Sequence, residues 1–179
     1  MEKILQVFDD IIPLYQQDFI EKLLTNKVKD NKFCWMYNSN LTTPSSNNTL
    51  EEVGFSRNLF SYDNIYSLLS PFYKFCEIQN IIPYNLSNVR TFLQTPNPNP
   101  STQEPHTDQD KPHLVFLYYV KDSDGDTVFY DKNKKILKKV TPKKGRVVSF
   151  DGSILHAGSS PSKSTRIIIN VNYQPNFTK

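Results

Sequence analysis

Cysteine, histidine and long apolar runs are all scarce in this chain, and each scarcity excludes something. Cys34 and Cys76 are the only cysteines. Two cannot build a disulfide framework, and they suit a reducing cytoplasm, the expected compartment. No stretch approaches the roughly 20 apolar residues that a helix needs to span a bilayer. Met1-Glu2-Lys3 leads into an amphipathic segment rather than an apolar signal-peptide core, so neither a leader nor a membrane partner is expected. The formal net charge of +3 is too small to argue for nucleic acid by itself. No internal repeat is visible. The 12 Phe and 10 Tyr, within 37% hydrophobic residues, mark a globular chain. Its 179 residues suffice for one domain with a proper core and are few for two, so 1–179 is read as one domain.

Texture divides the chain. Residues 1–80 read as a helical support region and 88–174 as a β core. Leu14, Tyr15, Phe19, Leu23 and Leu24 fall at helical spacing behind Pro13, which predicts a helix over Leu14–Leu24. A second helical region, Asp63–Gln79, is interrupted by Pro71, which predicts a kink or two short helices with Ser70 capping the second. Phe33–Tyr37 reads as a short strand, and the Ser/Thr/Asn-rich stretch Asn38–Asn48 as a mobile loop. From Val89 the period becomes two. Candidate strands are Val89–Gln94, Leu114–Val120, Thr127–Tyr130, Lys135–Val140, Arg146–Phe150 and Arg166–Tyr173, separated by turn signals such as Asp124-Gly125 and Lys144-Gly145. Short strands at this spacing indicate a mainly β sandwich or jelly roll, not an alternating α/β fold.

Two of the three histidines form a pattern with chemistry in it. His106-Thr107-Asp108 is followed by His156 and, ten residues later, by Arg166. A facial triad for non-heme Fe(II) needs two imidazoles and one carboxylate on one side of the ion, with the other positions open. His-x-Asp on extended backbone offers two ligands from one face, and His156, between two turns, supplies the third from a distant segment. Alone, His-x-Asp means little; the second His, the Arg and the β texture give it weight. Zn²⁺ takes the same ligands in catalytic sites. Arg166, placed to hold an anionic co-substrate, favours iron with an oxo acid. An Arg heading the apolar run Ile167-Ile168-Ile169 is costly unless paired. A carboxylate held bidentately is one solution and a strand-end Arg in solvent the other. By alternation Ile168, Asn170 and Asn172 share its face, and Asn170 is a candidate contact for co-substrate or water.

These residues resemble the 2-oxoglutarate- and Fe(II)-dependent dioxygenase superfamily, and most closely its prolyl 4-hydroxylase-like branch. Pro105-His106-Thr107-Asp108 is similar to that branch's first ligand motif, and Phe116-Leu117-Tyr118-Tyr119-Val120 to the strand after it. Gly125-Asp126-Thr127-Val128-Phe129 resembles its Gly-rich turn, with Asp126 where the family has an acidic residue. Lys144 to Phe150 and Ile154 to Gly158 resemble the segment carrying the second His. Val7-Phe8-Asp9-Asp10 and Phe33-Cys34-Trp35 are similar to small bacterial and phage-encoded members, which in a virus would mean a host cytoplasm.

The resemblance implies a double-stranded β-helix (jelly roll) with the N-terminal helices packed on one sheet. It implies His106, Asp108 and His156 as metal ligands and Arg166 on the distal carboxylate of 2-oxoglutarate. Tyr119 matches a tyrosine that in relatives bonds the same carboxylate; the plainer reading is a core aromatic. It implies Fe(II), 2-oxoglutarate and O₂, with ascorbate as supporting reductant, for C–H hydroxylation coupled to succinate formation. Its default substrate is proline in a peptide or protein. One departure is that collagen-type members carry Lys where this chain has Arg166; the charge survives, while the substrate assignment weakens.

Weaker signals remain. The loops 38–48 and 95–103 are placed to close over an extended peptide, or are plain linkers. Trp35 and Arg57 are candidate substrate contacts, against core and solvent fates, and His113 is a candidate for the mouth of the site. Residues 132–146 hold seven Lys and one Arg, a ribbon for nucleic acid or, more often, a solvated edge. Nucleic-acid demethylases of the superfamily carry a second Arg six residues after the first, where this chain has Asn172. Asp122-x-Asp124-Gly125-Asp126 has its Gly too early for a calcium loop. Rival readings are a non-catalytic jelly-roll binding module and an oxygenase acting on a small molecule or nucleic acid.

Overall fold

A computed structural model describes residues 4–29, 32–39, 41 and 53–177. In chain order the elements are β1 (Leu5–Phe8), α1 (Leu14–Leu24), β2 (Met36–Asn38), β3 (Gly54–Asn58), α2 (Ile65–Leu68), α3 (Ser70–Ile78), β4 (Ile81–Gln94), β5 (Leu114–Tyr119), β6 (Thr127–Tyr130), β7 (Ile136–Val140), β8 (Val147–Asp151), β9 (Leu155–Gly158) and β10 (Arg166–Phe177). A seven-stranded sheet runs β1-β8-β5-β10-β4-β3-β2 and a three-stranded sheet runs β7-β6-β9. Every pairing is antiparallel. This is a mainly β jelly roll, as the β texture predicts.

Alternation along β5 and β10 explains the layering. Phe116 and Tyr118 of β5, with Ile167, Ile169, Val171 and Tyr173 of β10, face the helices and bury Leu23 and Leu24 of α1 and Phe72 and Phe75 of α3. Phe72 meets Phe116 and Tyr173 edge-on, with ring centroids 5.3 and 5.0 Å apart. The other face of the same strands, Val115, Leu117, Tyr119 and Ile168, packs on Phe129 of the small sheet and on Val148 and Phe150. Each fully buried Phe or Leu contributes about 1.5–3 kcal/mol.

The first 80 residues are not helical throughout. Helix α1 has the predicted bounds, but β1 borders β8 and the β2–β3 pair borders β4, so three short strands of this region extend the large sheet on both sides. Pro71 does divide two short helices, yet Ser70 is the first residue of α3 rather than its cap; its hydroxyl donates to the Ser67 carbonyl at 3.0 Å. Predicted strand Phe33–Tyr37 is shifted to Met36–Asn38. Of the expected loop 38–48, residues 40 and 42–48 lie outside the described residues.

Part of the basic segment is used internally. Arg146 grips Asp9 through Nε and Nη2, at 2.7 and 2.9 Å, and Lys144 meets both Asp18 and Glu21 at 2.6 Å. These pairs fasten β1 and α1 to the β7–β8 connection. Lys138 and Lys139 stay exposed on β7, an edge strand, where charge discourages pairing between molecules.

Candidate metal centre

His106 and His156 are bound to each other through the backbone. His106 N–H donates to the His156 carbonyl at 3.0 Å, and His156 N–H to the His106 carbonyl at 2.9 Å. His156 lies within β9, an edge strand, not in a loop. The pairing brings the imidazole centroids to 4.9 Å. His106 Nδ1 lies 3.0 Å from the Glu104 carbonyl, and His156 Nδ1 lies 3.2 Å from the Ile154 carbonyl. A carbonyl only accepts, so Nδ1 of each ring carries the proton and each Nε2 presents a lone pair. Both Nε2 atoms face Asp108 Oδ1, at 3.9 and 3.4 Å. The other carboxylate oxygen accepts from Asn170 Nδ2 at 3.0 Å. Burial pushes the Asp108 carboxyl up, but a hydrogen bond and positive charge from His156, the Asn170 hydrogen bond and the charge of His106, acting as imidazolium rings do when no metal takes their Nε2 lone pairs, outweigh it and hold the group well below the usual carboxylate range.

One ligand atom from each of His106, Asp108 and His156 falls within 4.8 Å of the others. Two neutral imidazoles and an ionised carboxylate suit Fe(II) or Zn²⁺. Each ligand also has the outer hydrogen bond that metal ligands use to fix their orientation.

The same cleft contains Arg166, 5% exposed. Its Nε donates to the Gly125 carbonyl at 2.9 Å, Nη1 to Gln94 Oε1 at 3.1 Å and Nη2 to Thr127 Oγ1 at 2.8 Å. A guanidinium has five N–H donors, so two remain, and among the described residues no carboxylate forms a salt bridge with it. Burial lowers its pKa from the ordinary value, with Tyr119 and Asp126 opposing. Glycine is required beneath it: a Cβ at Gly125 would lie 2.6 Å from the Ser159 carbonyl oxygen and 3.0 Å from Arg166 Cδ.

The structure thus brings His106, Asp108, His156, Arg166 and Asn170 to one cleft, walled by Phe92, Leu117, Ile168 and Leu41. Tyr119 is fully buried beside Arg166, and its hydroxyl donates to Thr127 Oγ1 at 2.7 Å, the oxygen that also accepts from Arg166 Nη2. Asn170 touches Asp108 rather than only open space.

Other candidates fall elsewhere. His113 packs over Gly152, donates from Nδ1 to the Lys111 carbonyl at 2.7 Å, and does not line this cleft. Arg57 stacks on Phe33 and Tyr62, and Trp35 Nε1 donates to the Leu24 carbonyl at 3.1 Å; both serve packing. Loop 95–103 is stitched down rather than poised to close. Backbone bonds join Asn97 to Pro161, Gln103 to Gly158 and Ser160 to Ser101. Thr127, Gln94, Gln103 and Leu41 escaped the sequence reading. Thr127 was signalled by the Gly125-Asp126-Thr127 turn, and Gln94 by the end of a predicted strand; Leu41 had no signal.

Residues 93–174 match the family model described as 2OG-Fe(II) oxygenase superfamily. No curated protein matches the chain in sequence. Among solved structures, the chain is similar to the viral collagen prolyl hydroxylase vCPH from Paramecium Bursaria Chlorella virus-1, bound to 2OG, with TM-score 0.62 and 17% identity over 96% of each chain. It is similar to a Trichoplax adhaerens prolyl hydroxylase in complex with a hypoxia-inducible-factor peptide, with TM-score 0.66 and 12% identity over 94% of this chain and 82% of that one. It is also similar to SnoN, an alpha-ketoglutarate-dependent epimerase of nogalamycin biosynthesis, with TM-score 0.65 and 10% identity over 95% of this chain and 77% of that one. At such identities the structural likeness speaks for the fold, which hosts more than one reaction.

Proposed function

We propose, from the match of residues 93–174 to the 2OG-Fe(II) oxygenase superfamily model, that the chain is a prolyl 4-hydroxylase-like member of that superfamily that hydroxylates a C–H bond in a peptide or protein, coupled to conversion of 2-oxoglutarate to succinate. In this reading His106, Asp108 and His156 hold Fe(II), and Arg166 takes the distal carboxylate of 2-oxoglutarate. O₂ is the second co-substrate, and ascorbate a supporting reductant. The observation that carries it is Arg166, a buried cation with two unused N–H groups and no carboxylate partner among the described residues, in one cleft with three converging metal-ligand atoms. A buried charge without a counter-ion is costly, and a bound dicarboxylate removes that cost.

Bound iron with 2-oxoglutarate supplies the oxidising chemistry; the chain supplies placement. The Glu104 and Ile154 carbonyls keep both Nε2 lone pairs on the metal side. Asn170 restrains one oxygen of Asp108 and leaves the other for the ion. Gly125, Gln94 and Thr127 hold the guanidinium from three sides, so little orientation is left to lose when the co-substrate binds. Tyr119 lies beside Arg166 and donates to Thr127, and burial pushes its phenol up, which keeps it a donor. Phe92, Leu117 and Ile168 exclude water. The peptide assignment rests on the two prolyl hydroxylases that share the fold. With Lys143, Lys144 and Arg146 engaged by acidic side chains, the basic segment is a weaker match to nucleic acid.

Anaerobic addition of Fe(II) and 2-oxoglutarate should produce a visible metal-to-ligand charge-transfer band. His156→Ala should abolish it. Arg166→Leu should weaken 2-oxoglutarate binding about 100-fold, the scale of a truncated buried charge contact. Absence of the band from folded protein would overturn the reading. Succinate release driven by proline peptides, compared with free amino acids and oligonucleotides, tests the substrate.

A further inference from the structure

Gln94 is the last residue of β4 and stands opposite Arg166 in the β4–β10 register. Arg166 Nη1 lies 3.1 Å from the Gln94 side chain. A guanidinium carries only donors, so the amide atom facing it must be the oxygen. That fixes the orientation of the amide and leaves Nε2 as the free end. Gln94 is 3% exposed, lines the same cleft as Arg166, and its Nε2 is buried without a hydrogen-bond partner among the described residues. Native interiors rarely leave a donor in that state, and one that lines a cleft points to a ligand. The apolar neighbours Phe92, Leu117 and Ile168 offer it no acceptor. Gln103 Oε1, which accepts from Gly158 N–H at 3.3 Å, makes no hydrogen bond to it either.

We propose that Gln94 Nε2 is a further donor to the co-substrate's distal carboxylate, completing a cradle with the two unused N–H groups of Arg166 and making this pocket selective for a 2-oxo dicarboxylate over a 2-oxo monocarboxylate. This rests on the reading of Arg166 above and adds to it. One side chain serves both neighbours: its oxygen steadies the cation and its nitrogen meets the anion that the cation attracts. The neutral amide adds directional recognition without adding charge to the site.

The test is an anaerobic titration of the Fe(II)-loaded full chain, read from the charge-transfer band. The two probes are 2-oxoglutarate and 2-oxobutanoate, which shares the chelating head and lacks the distal carboxylate. Gln94→Leu should weaken 2-oxoglutarate by about tenfold or more, as for a lost hydrogen bond to a charged group, and leave 2-oxobutanoate unchanged. Gln94→Glu, nearly isosteric, should weaken 2-oxoglutarate further, because a carboxylate there satisfies Arg166 from within and repels the ligand. Thermal melts establish that each variant folds, and the Glu variant carries the test if the Leu variant does not. Unchanged 2-oxoglutarate affinity in a folded variant would overturn the proposal and leave the parent reading standing. So would equal weakening of both probes, which would mark Gln94 as a packing residue. No 2-oxoglutarate binding by the unaltered chain would overturn both.

Discussion

The two faces of β5 and β10 make opposite use of the same strands. Toward the helices, Phe116, Tyr118, Ile167, Ile169, Val171 and Tyr173 form a continuous apolar surface against α1 and α3. Toward the small sheet, Val115, Leu117, Tyr119 and Ile168 share their layer with Arg166, Asn170 and His156, all buried polar groups. Period two lets one backbone do both: odd and even positions answer to different demands. The helix-facing layer spends its burial on stability. The inner layer accepts polar groups that are expensive to bury, and the surplus from the outer layer offsets them.

Substitutions should separate the two faces. The largest stability effect is expected on the outer one. Phe72→Ala removes a ring that is fully buried against Phe116 and Tyr173 and should cost about 3–5 kcal/mol in denaturant unfolding, with little change in turnover per folded molecule. A large activity change at unaltered stability would erase the distinction. On the inner face, Asn170→Ala should reverse the pattern: Fe(II) affinity falls about 10- to 100-fold, as when an outer partner of a metal ligand is lost, and the melting temperature moves little. Iron titration reads this directly. The smallest effect belongs to the rim. Asp9→Asn breaks the Arg146 clamp and should cost about 0.2–1 kcal/mol, because the pair is partly exposed. The Arg146 hydrogen bond, against opposing burial, holds the Asp9 carboxyl below its ordinary value. The clamp's stabilisation is therefore complete above the unfolded-state value near pH 4 and fades as pH falls through the folded one. Unfolding curves of the unaltered chain and Asp9→Asn should converge in acid, and a constant gap would remove Asp9 from the clamp.

What the sequence disclosed follows from the range of the interactions involved. The bounds of helix α1 were legible from Pro13 and local spacing, but Leu14, Tyr15 and Phe19 of that pattern are exposed, and the buried face is Gln17, Ile20, Leu23 and Leu24. The candidate ligand set could be named because its residue types are rare and its motifs resemble those of a family, and the structure brings His106, Asp108 and His156 together. The first part of β4 was hidden. Pro83 faces Pro175 across the ladder, and Asn85 has φ 49°, beside a register shift at Tyr173, so Ile81–Asn88 lacks clean alternation. Strands β1 and β3 were missed because they lie in the region read as helical and gain their pairing only from distant partners. Gln94 and Thr127 were missed as site residues for the same reason. Their positions beside Arg166 come from strand register, which no spacing along the chain encodes.

His106 and His156 are 50 residues apart and hold each other by a reciprocal pair of backbone hydrogen bonds. The separation of the two imidazoles is therefore set by a rung of main-chain pairing, and side-chain rotamers only trim it. The chain between the two ends of this rung carries β5 to β8, so closing it costs the entropy of a long loop. The proposed metal site therefore needs a long-range main-chain pairing, and no short fragment of the chain holds both of its imidazoles.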